Sequence, residues 1–336
     1  LELDFDPRTG RWLAMRERGE GGGEILRGGA AQSPVVLHAG GLTTASLGRG
    51  PTVSVVDAVI VGTAWRLAGH RIEDGSRGPT LTLTCREGDW RLEQSYTLVP
   101  GELRVERRIA VEYLGPGEAL LRDMEIRLPP ARLGADSECF VEAPAYPTRP
   151  HQRLVSLPFG EFWSRLRGPL GHGATGWLSG VVALENTTRR RTLTVWAFNT
   201  SESCTASLIR VDDGTRIAHQ ADLAARMERG RPVEWEVQAV QLTRGLWPQA
   251  LSRRQDWFDE IGHRVPSDRP AWIERAHIYN CWVGYLSYSP GGYATHDELV
   301  KDLPRIRSLG FDTVYTMPHV PFPGYDTEDY LDADSQ

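Results

Sequence analysis

The feature that most constrains this chain is a change of hydrophobic period close to residue 245. Before it, apolar and polar residues alternate in short runs punctuated by glycine and proline. After it, the order becomes strand, helix, strand. Alternation at a period of two sends successive side chains to opposite faces of a strand, so each run offers one apolar face. Thr80 to Cys85 alternates threonine with leucine, and Trp90, Leu92, Tyr96 and Leu98 resume the pattern after a Gly88-Asp89 turn. Leu103, Val105, Ile109, Val111 and Tyr113 form another run, interrupted on its apolar face only by Arg107. Leu120 to Leu128 is stopped by Pro129-Pro130, and further strands read at 177–184, 192–199, 204–211 and 233–242. Asp6-Pro7-Arg8-Thr9-Gly10 reads as a turn between Leu3–Phe5 and Trp12–Met15, because proline presets φ and glycine tolerates a positive one. Ile217 to Met227 reads as a short helix. Roughly a dozen strands with frequent turns predict a large antiparallel β-sandwich over 1–245.

Composition narrows the function classes. At roughly 150 residues per domain, 336 residues predict about two domains. Acidic residues outnumber basic ones by 44 to 38, which is no electrostatic footprint for nucleic acid or an anionic membrane. The text holds no apolar run long enough for a membrane span and opens on a strand-like segment rather than a signal peptide, which favours a cytoplasmic setting. Cys85, Cys139, Cys204 and Cys281 lie far apart without a CxxC pair and read as buried free thiols. Trp65, Trp90, Phe159, Phe162, Trp163, Trp177, Trp196 and Trp235 suit either a sandwich core or the flat apolar face of a sugar ring. Phe162 and Trp163 are the better candidates for sugar, because 157–173 is too rich in glycine and proline for a strand, and His151 and His172 flank it.

From Trp247 the pattern is helical. Pro248 suits a first turn, apolar residues spread along 249–261, and Gly262 closes the helix. A polar stretch with Pro266 and Pro270 completes a connector over 246–270. Over 271–336 a strand from Ile278 to Leu286 precedes a helix whose N-cap is Thr295, with Glu298 completing a capping box. Leu299, Leu303, Ile306 and Leu309 fall on one helical face, Pro304 must kink the helix or end its first turn, and Gly310 closes it. Phe311 to Met317 is a second buried strand. A helix between two buried strands predicts a parallel βαβ unit.

Two resemblances follow. The length of the first region, its opening "LELDFDPRTGRWLAM" and the phrase "ALLRDMEIRLPP" resemble the supersandwich of galactose-mutarotase-like domains, which precede the barrel in several glycoside hydrolase families. A mutarotase-type site would need a general acid and base, usually His with Glu, and the sequence singles out no such pair. The ordered set Leu309-Gly310-Phe311, Met317-Pro318, Gly324-Tyr325 and Asp329-Tyr330 resembles the start of the (β/α)8 barrel of glycoside hydrolase family 13, the alpha-amylase family. This match covers less than a fifth of the chain.

The second resemblance implies a retaining glycosidase or transglycosylase acting on alpha-glucan-like oligo- or polysaccharide. It would need no redox cofactor, though the parent protein can carry a structural calcium. Tyr325 falls on a tyrosine that stacks against the sugar beside the scissile bond, or else anchors its loop. Asp329 and Tyr330 fall on a loop-organising pair, or on a solvated acidic tail. His319 is either a hydrogen-bonding or a packing residue. Phe322 stands where some alpha-glucosidases place an aspartate, which departs from an exo-acting glucosidase. The resemblance puts the catalytic carboxylates on later strands, beyond Gln336, so the fragment carries no catalytic residue and only the first βαβ unit of an incomplete barrel. An alpha-galactosidase-type enzyme with the same domain order, and a non-catalytic carbohydrate-binding protein, remain open.

Overall fold

The computed structural model describes residues 1–19, 22–28, 33–47, 50–144, 154–159, 181–198, 203–211, 214–260, 262, 264, 266–283 and 292–316. The chain divides into two compact units, Leu1–Trp257 and Phe258–Gln336.

The first unit is built from strands β1 (Glu2–Phe5), β2 (Trp12–Glu17), β3 (Gly23–Arg27), β4 (Val35–Leu47), β5 (Gly50–Val61), β6 (Arg66–Gly75), β7 (Gly78–Glu87), β8 (Trp90–Leu98) and β9 (Arg104–Tyr113). There follow β10 (Ala119–Arg127), β11 (Cys139–Pro144), β12 (Leu154–Pro158), β13 (Val181–Asn186), β14 (Arg191–Phe198), β15 (Ser203–Val211), β16 (Gly214–Met227) and β17 (Val233–Arg244). Every pairing among them is antiparallel. They form a five-stranded sheet in the order β15-β16-β10-β4-β5 and a nine-stranded sheet β12-β11-β13-β14-β17-β9-β8-β7-β6, with a small sheet β1-β2-β3 beside them.

Local chemistry explains these elements. Glu87 and Trp90 pair across Gly88-Asp89, a two-residue hairpin whose Gly88 has φ 55°. The Asp6–Gly10 turn forms as read: the Asp6 carboxylate accepts from the Arg8 amide at 2.8 Å, and Phe5 pairs with Trp12. Gly10 sits at φ +67°, and a Cβ there would meet Cys85 Sγ at 2.8 Å, so glycine is required twice over.

Between the two large sheets lies the core. Val35, Leu37, Leu121, Met124 and Ile126 face Leu92, Ile109, Val111 and Trp235, while Leu208, Ile217 and Leu128 join Val105, Leu193 and Val240. The tryptophan and phenylalanine residues that suited either a core or a sugar are core wherever described: Trp65, Trp90, Phe159, Trp196 and Trp235 are all buried. Cys85, Cys139 and Cys281 are buried free thiols, and burial pushes the first two up to about 11, which leaves them as inert thiols.

The helix read over Ile217–Met227 is instead the greater part of strand β16. It is paired on both sides, with β10 and with β15, so neighbouring strands override the helical propensity of its alanines. Thr215, Ile217, His219 and Ala221 are buried at every second position, as a strand requires, and Ala218 on the opposite face is buried as well. A register shift opposite Leu121/Asp123 coincides with Ala224 at φ 44°, the mark of a β-bulge.

Helix α1 (Trp247–Glu260) begins within the first unit, where the Trp247 amide donates to Glu185 Oε2 at 2.5 Å. The second unit holds β18 (Ile278–Cys281), α2 (His296–Ser308) and β19 (Thr313–Thr316). The two strands pair in parallel, Ile278 with Thr313 through Cys281 with Thr316, so this is a β-α-β unit. Cys281, Val283, Leu299 and Ile306 form its core, with Tyr279, Tyr293, Phe311 and Val314 against them.

One sequence expectation for α2 is corrected. Of its anticipated apolar face only Leu299 and Ile306 are buried; Leu303 is 38% and Leu309 59% exposed, because a pair of strands covers only a narrow strip of a helix. As read, Pro304 lies inside the helix; it is eight residues past the start, so it does not end the first turn, and the helix runs on to Ser308. Among the described residues, no helix is long and apolar enough to cross a membrane.

Candidate functional site

The second unit contains, in sequence, the segment to which the sequence assigned sugar binding. Parallel strands joined by a helix send both carboxyl ends, Cys281 and Thr316, in one direction, and active sites of (β/α)8 proteins are built from the loops at that end. The residues after Thr316 lead from this end. Tyr325, Asp329, Tyr330 and His319, with Phe322 and the Met317-Pro318 and Gly324 positions, lie outside the described residues. So do Trp163, Phe162, Trp177, His151 and His172.

Among the described residues, three sets of contacts tie the elements of this unit together. Thr295 caps α2 by accepting from the Glu298 amide at 3.2 Å, and Glu298 reaches back to the Ala294 amide at 2.8 Å. The N-cap bond forms as read, but the return bond of the box reaches the Ala294 amide rather than that of Thr295. Tyr293 donates to Asp302 Oδ2 at 2.5 Å, Tyr279 lies 3.5 Å from Tyr293 Oη, and Arg305 donates to Asp302 at 2.5 and 2.7 Å. Hydrogen bonding from Arg305, then from Tyr293, holds Asp302 down at about 2, while burial and the Asp302 bond push the Tyr293 hydroxyl up. This group ties strand β18, the approach to α2 and α2 itself together. Asp312 does the same at the other end: it accepts from the Thr313 hydroxyl and the His277 amide, each at 2.9 Å, and these bonds lower its pKa.

A second group with chemistry to offer was missed by the sequence reading. On the face of the five-stranded sheet turned away from the core, His38 of β4 stands opposite Asp123 of β10. His38 Nδ1 is bonded to Asp123 Oδ1; the carboxylate is almost wholly buried while the imidazole is about one-third exposed. A carboxylate gripping Nδ1 orients an imidazole so that Nε2 can exchange a proton, the positioning half of a general acid–base pair. Two residues along the same strand, Glu125 accepts from Arg127 at 2.5 Å, both largely buried. Arg216 of the neighbouring strand has its pKa lowered, first by burial and then by the adjacent Arg127 charge.

The signal was partly visible. Asp123, Glu125 and Arg127 alternate with Met124 and Ile126 inside "ALLRDMEIRLPP", so a charged face of β10 could be read. That His38 meets Asp123 depends on β4 pairing with β10, a contact between residues 85 apart that no local pattern encodes. Among the described residues, no group of three or more His, Cys, Asp or Glu side chains is arranged to hold a metal ion.

Compared with protein-family models and with characterised proteins, the chain matches none. Several solved structures resemble it in outline. A GH36 alpha-galactosidase from Geobacillus stearothermophilus, crystallised with 1-deoxygalactonojirimycin, has a TM-score of 0.45 and 14% identity, over 83% of this chain and 39% of that one. A GH31 family sulfoquinovosidase from E. rectale has a TM-score of 0.42 and 10% identity, over 96% and 42%. A galactose mutarotase related enzyme from Lactobacillus acidophilus has a TM-score of 0.33 and 9% identity, over 52% and 71%. The chain thus spans about two-fifths of the length of the alpha-galactosidase, 39%. At these scores and identities none of the likenesses assigns a substrate or mechanism to this chain.

Proposed function

We propose that this chain is part of a glycoside hydrolase in which a galactose-mutarotase-like β-sandwich, 1–245, and a connector, 246–270, precede a (β/α)8 barrel beginning at 271–336. The observation that carries this reading is the parallel pairing of β18 with β19 across α2, directly after an all-antiparallel sandwich. An antiparallel pairing of the same residues, or their addition to the sandwich, would have been incompatible with a barrel start.

On this reading the substrate is an alpha-linked oligo- or polysaccharide. Tyr325 stacks on the sugar beside the scissile bond, Asp329 and Tyr330 organise the loop, and His319 and Trp163 contribute binding. Cleavage with retention needs two carboxyl groups about 5–5.5 Å apart, one as nucleophile and one as acid/base. Later strands of the barrel would supply them. The motif Leu309-Gly310-Phe311 through Asp329-Tyr330 favours an alpha-amylase-type enzyme and alpha-glucan. The order of a large sandwich before a barrel equally suits an alpha-galactosidase-type enzyme.

The test is hydrolysis by the protein expressed from its complete gene, on maltooligosaccharides and on alpha-galactosides such as raffinose. Turnover of either supports the proposal, and which one is turned over selects between the two substrate classes. Replacing Tyr325 by Ala should lower kcat/KM by about 10-fold or more, a loss of at least ~1.4 kcal/mol of transition-state stabilisation. Absence of turnover and of binding on both sugar classes would overturn the proposal; unchanged kcat/KM in Tyr325→Ala would overturn the site assignment.

A further inference from the structure

Among the described residues, strand β6 ends the nine-stranded sheet, with β7 on one side and no strand on the other. One residue of β7 fixes which groups of β6 face outward. Asp74 stands opposite Pro79, and proline has no N–H, so these two residues exchange no hydrogen bonds. In an antiparallel ladder such pairs alternate with bonded ones. Glu73 and Arg71 therefore bond to β7, while His70, Ile72 and Asp74 turn their N–H and C=O groups away from it. Past the register shift between Leu67 and Gly69, the outward amide of Leu67 is already occupied: it donates to the Arg8 carbonyl at 2.9 Å. Among the described residues, nothing takes the six outward groups of His70, Ile72 and Asp74. Every residue from His70 to Gly75 is exposed, and the apolar Ile72 is 72% exposed.

Charges on an open edge keep other strands away. Here they follow an order: His70 and Arg71 come before Ile72, and Glu73 and Asp74 after it. A row of basic, apolar and acidic side chains is complementary to itself in the reverse direction. One antiparallel register uses all six outward groups of both strands. It sets Ile72 opposite Ile72 of a second copy, and His70 opposite the second copy's Asp74. Between them Arg71 faces Glu73 at the closer, non-bonded spacing, twice over by symmetry. Sliding one strand by two residues sets Arg71 against Arg71 in one direction and Glu73 against Glu73 in the other, and like charges directly opposite repel. Within one chain Arg71 lies 3.2 Å from Glu93 and 3.5 Å from Glu73, yet the Arg71 and Glu73 side chains stay 51% and 63% exposed, which leaves the guanidinium open to a further carboxylate. Ile72 also borders an apolar cleft of about 400 Å3 lined by Leu3, Phe5, Leu81 and Leu98, so a second isoleucine beside it extends an apolar surface that one chain leaves in water.

We propose that β6 is a self-association edge, at which two copies of this chain join β6 to β6 about a two-fold axis at Ile72. Their nine-stranded sheets then run on into each other. The contact is isologous, each residue meeting its complement on the other copy, and the backbone bonds supply affinity while the charge order sets the register.

Sedimentation of the full chain from about 1 μM to about 1 mM should show monomer giving way to a species of twice its mass. Ile72→Pro removes an outward N–H that β7 does not use, and should weaken the dimer by about tenfold or more while each chain stays folded. Glu73→Arg and Arg71→Glu each set like charges opposite one another, and each alone should weaken it by about tenfold. Mixed in equal amounts, these two variants should form a heterodimer, because each charge on one then faces its opposite on the other. A monomer across the whole range, a dimer that Ile72→Pro leaves intact, a mixture that stays monomeric, or growth into species larger than a dimer would overturn the proposal. If a variant does not fold, amide exchange of the unaltered chain decides. The His70, Ile72 and Asp74 amides should exchange more slowly as concentration rises, and exchange independent of concentration would sink the edge pairing.

Discussion

The two units bury their apolar residues in opposite circumstances. In the sandwich, two broad sheets cover each other, and even polar groups such as Arg107 and His219 are sealed inside. In the second unit, four buried residues form the centre, while Val300, Leu303, Leu309, Ile278 and Tyr315 remain exposed. The difference follows from pairing. Many antiparallel strands find a first neighbour across a short turn, as β6 to β9 do, and these hairpins then join into two broad sheets. A parallel pair needs a helical crossover for each added strand and leaves both edges and much of the helix uncovered until more strands arrive.

This contrast can be broken by mutation. Trp235 is the largest lever: replacing it by Ala in the sandwich core should cost about 3–5 kcal/mol, seen as loss of the cooperative urea transition. Ile306→Ala should cost less and should leave the sandwich transition in place; equal effects on one shared transition would show that the two units unfold as one body. Glu17 comes next. Its side chain is buried and accepts from Arg244 at 2.6 and 3.0 Å, with Arg191 at 3.1 Å. Glu17→Ala should destabilise the sandwich by about 2–3 kcal/mol, less than a fully buried pair because Arg244 is largely exposed. A loss under a few tenths of a kcal/mol would mean that water already screens this group.

Smaller effects sharpen the picture of the second unit. Thr295→Ala removes the N-cap bond of α2 and should cost about 1 kcal/mol, read as faster amide exchange in its first turn with no change in the sandwich. Asp302 titrates at about 2, below its ordinary 3.8, so its bonds to Arg305 and Tyr293 contribute fully above 3.8 and are lost as pH falls through 2. A carboxyl 13C titration midpoint near 3.8 would show that these bonds do not persist in solution.

Much of the sandwich was legible in the text because a strand with one buried face writes its own period. The Asp6–Gly10 turn, the Gly88-Asp89 hairpin and the stop at Pro129-Pro130 all rest on residues a few positions apart. Ile217–Met227 was misread because its alanines, leucine and methionine suit a helix, while the two strands that hold it extended lie far away in sequence. The partly exposed His38 and the buried Asp123 escaped notice for the same reason: each is unremarkable until β4 is laid beside β10. In the second unit, Thr295, Glu298 and Gly310 marked the ends of α2 correctly, since capping is a matter of one turn. How much of its apolar face would be buried was beyond such signals, because that depends on how many strands lie beneath it.

The amino-acid order by itself determined the change from period two to strand-helix-strand, the turns, and the ends of α2, since each follows from hydrogen-bonding and steric preferences within a few residues. Tertiary structure alone decided which strands are neighbours, that Gln238 stands opposite Arg107 with His219 beyond it, and that His38 finds Asp123. Those contacts join residues tens to more than a hundred positions apart. They become favourable only when whole sheets close over a common core.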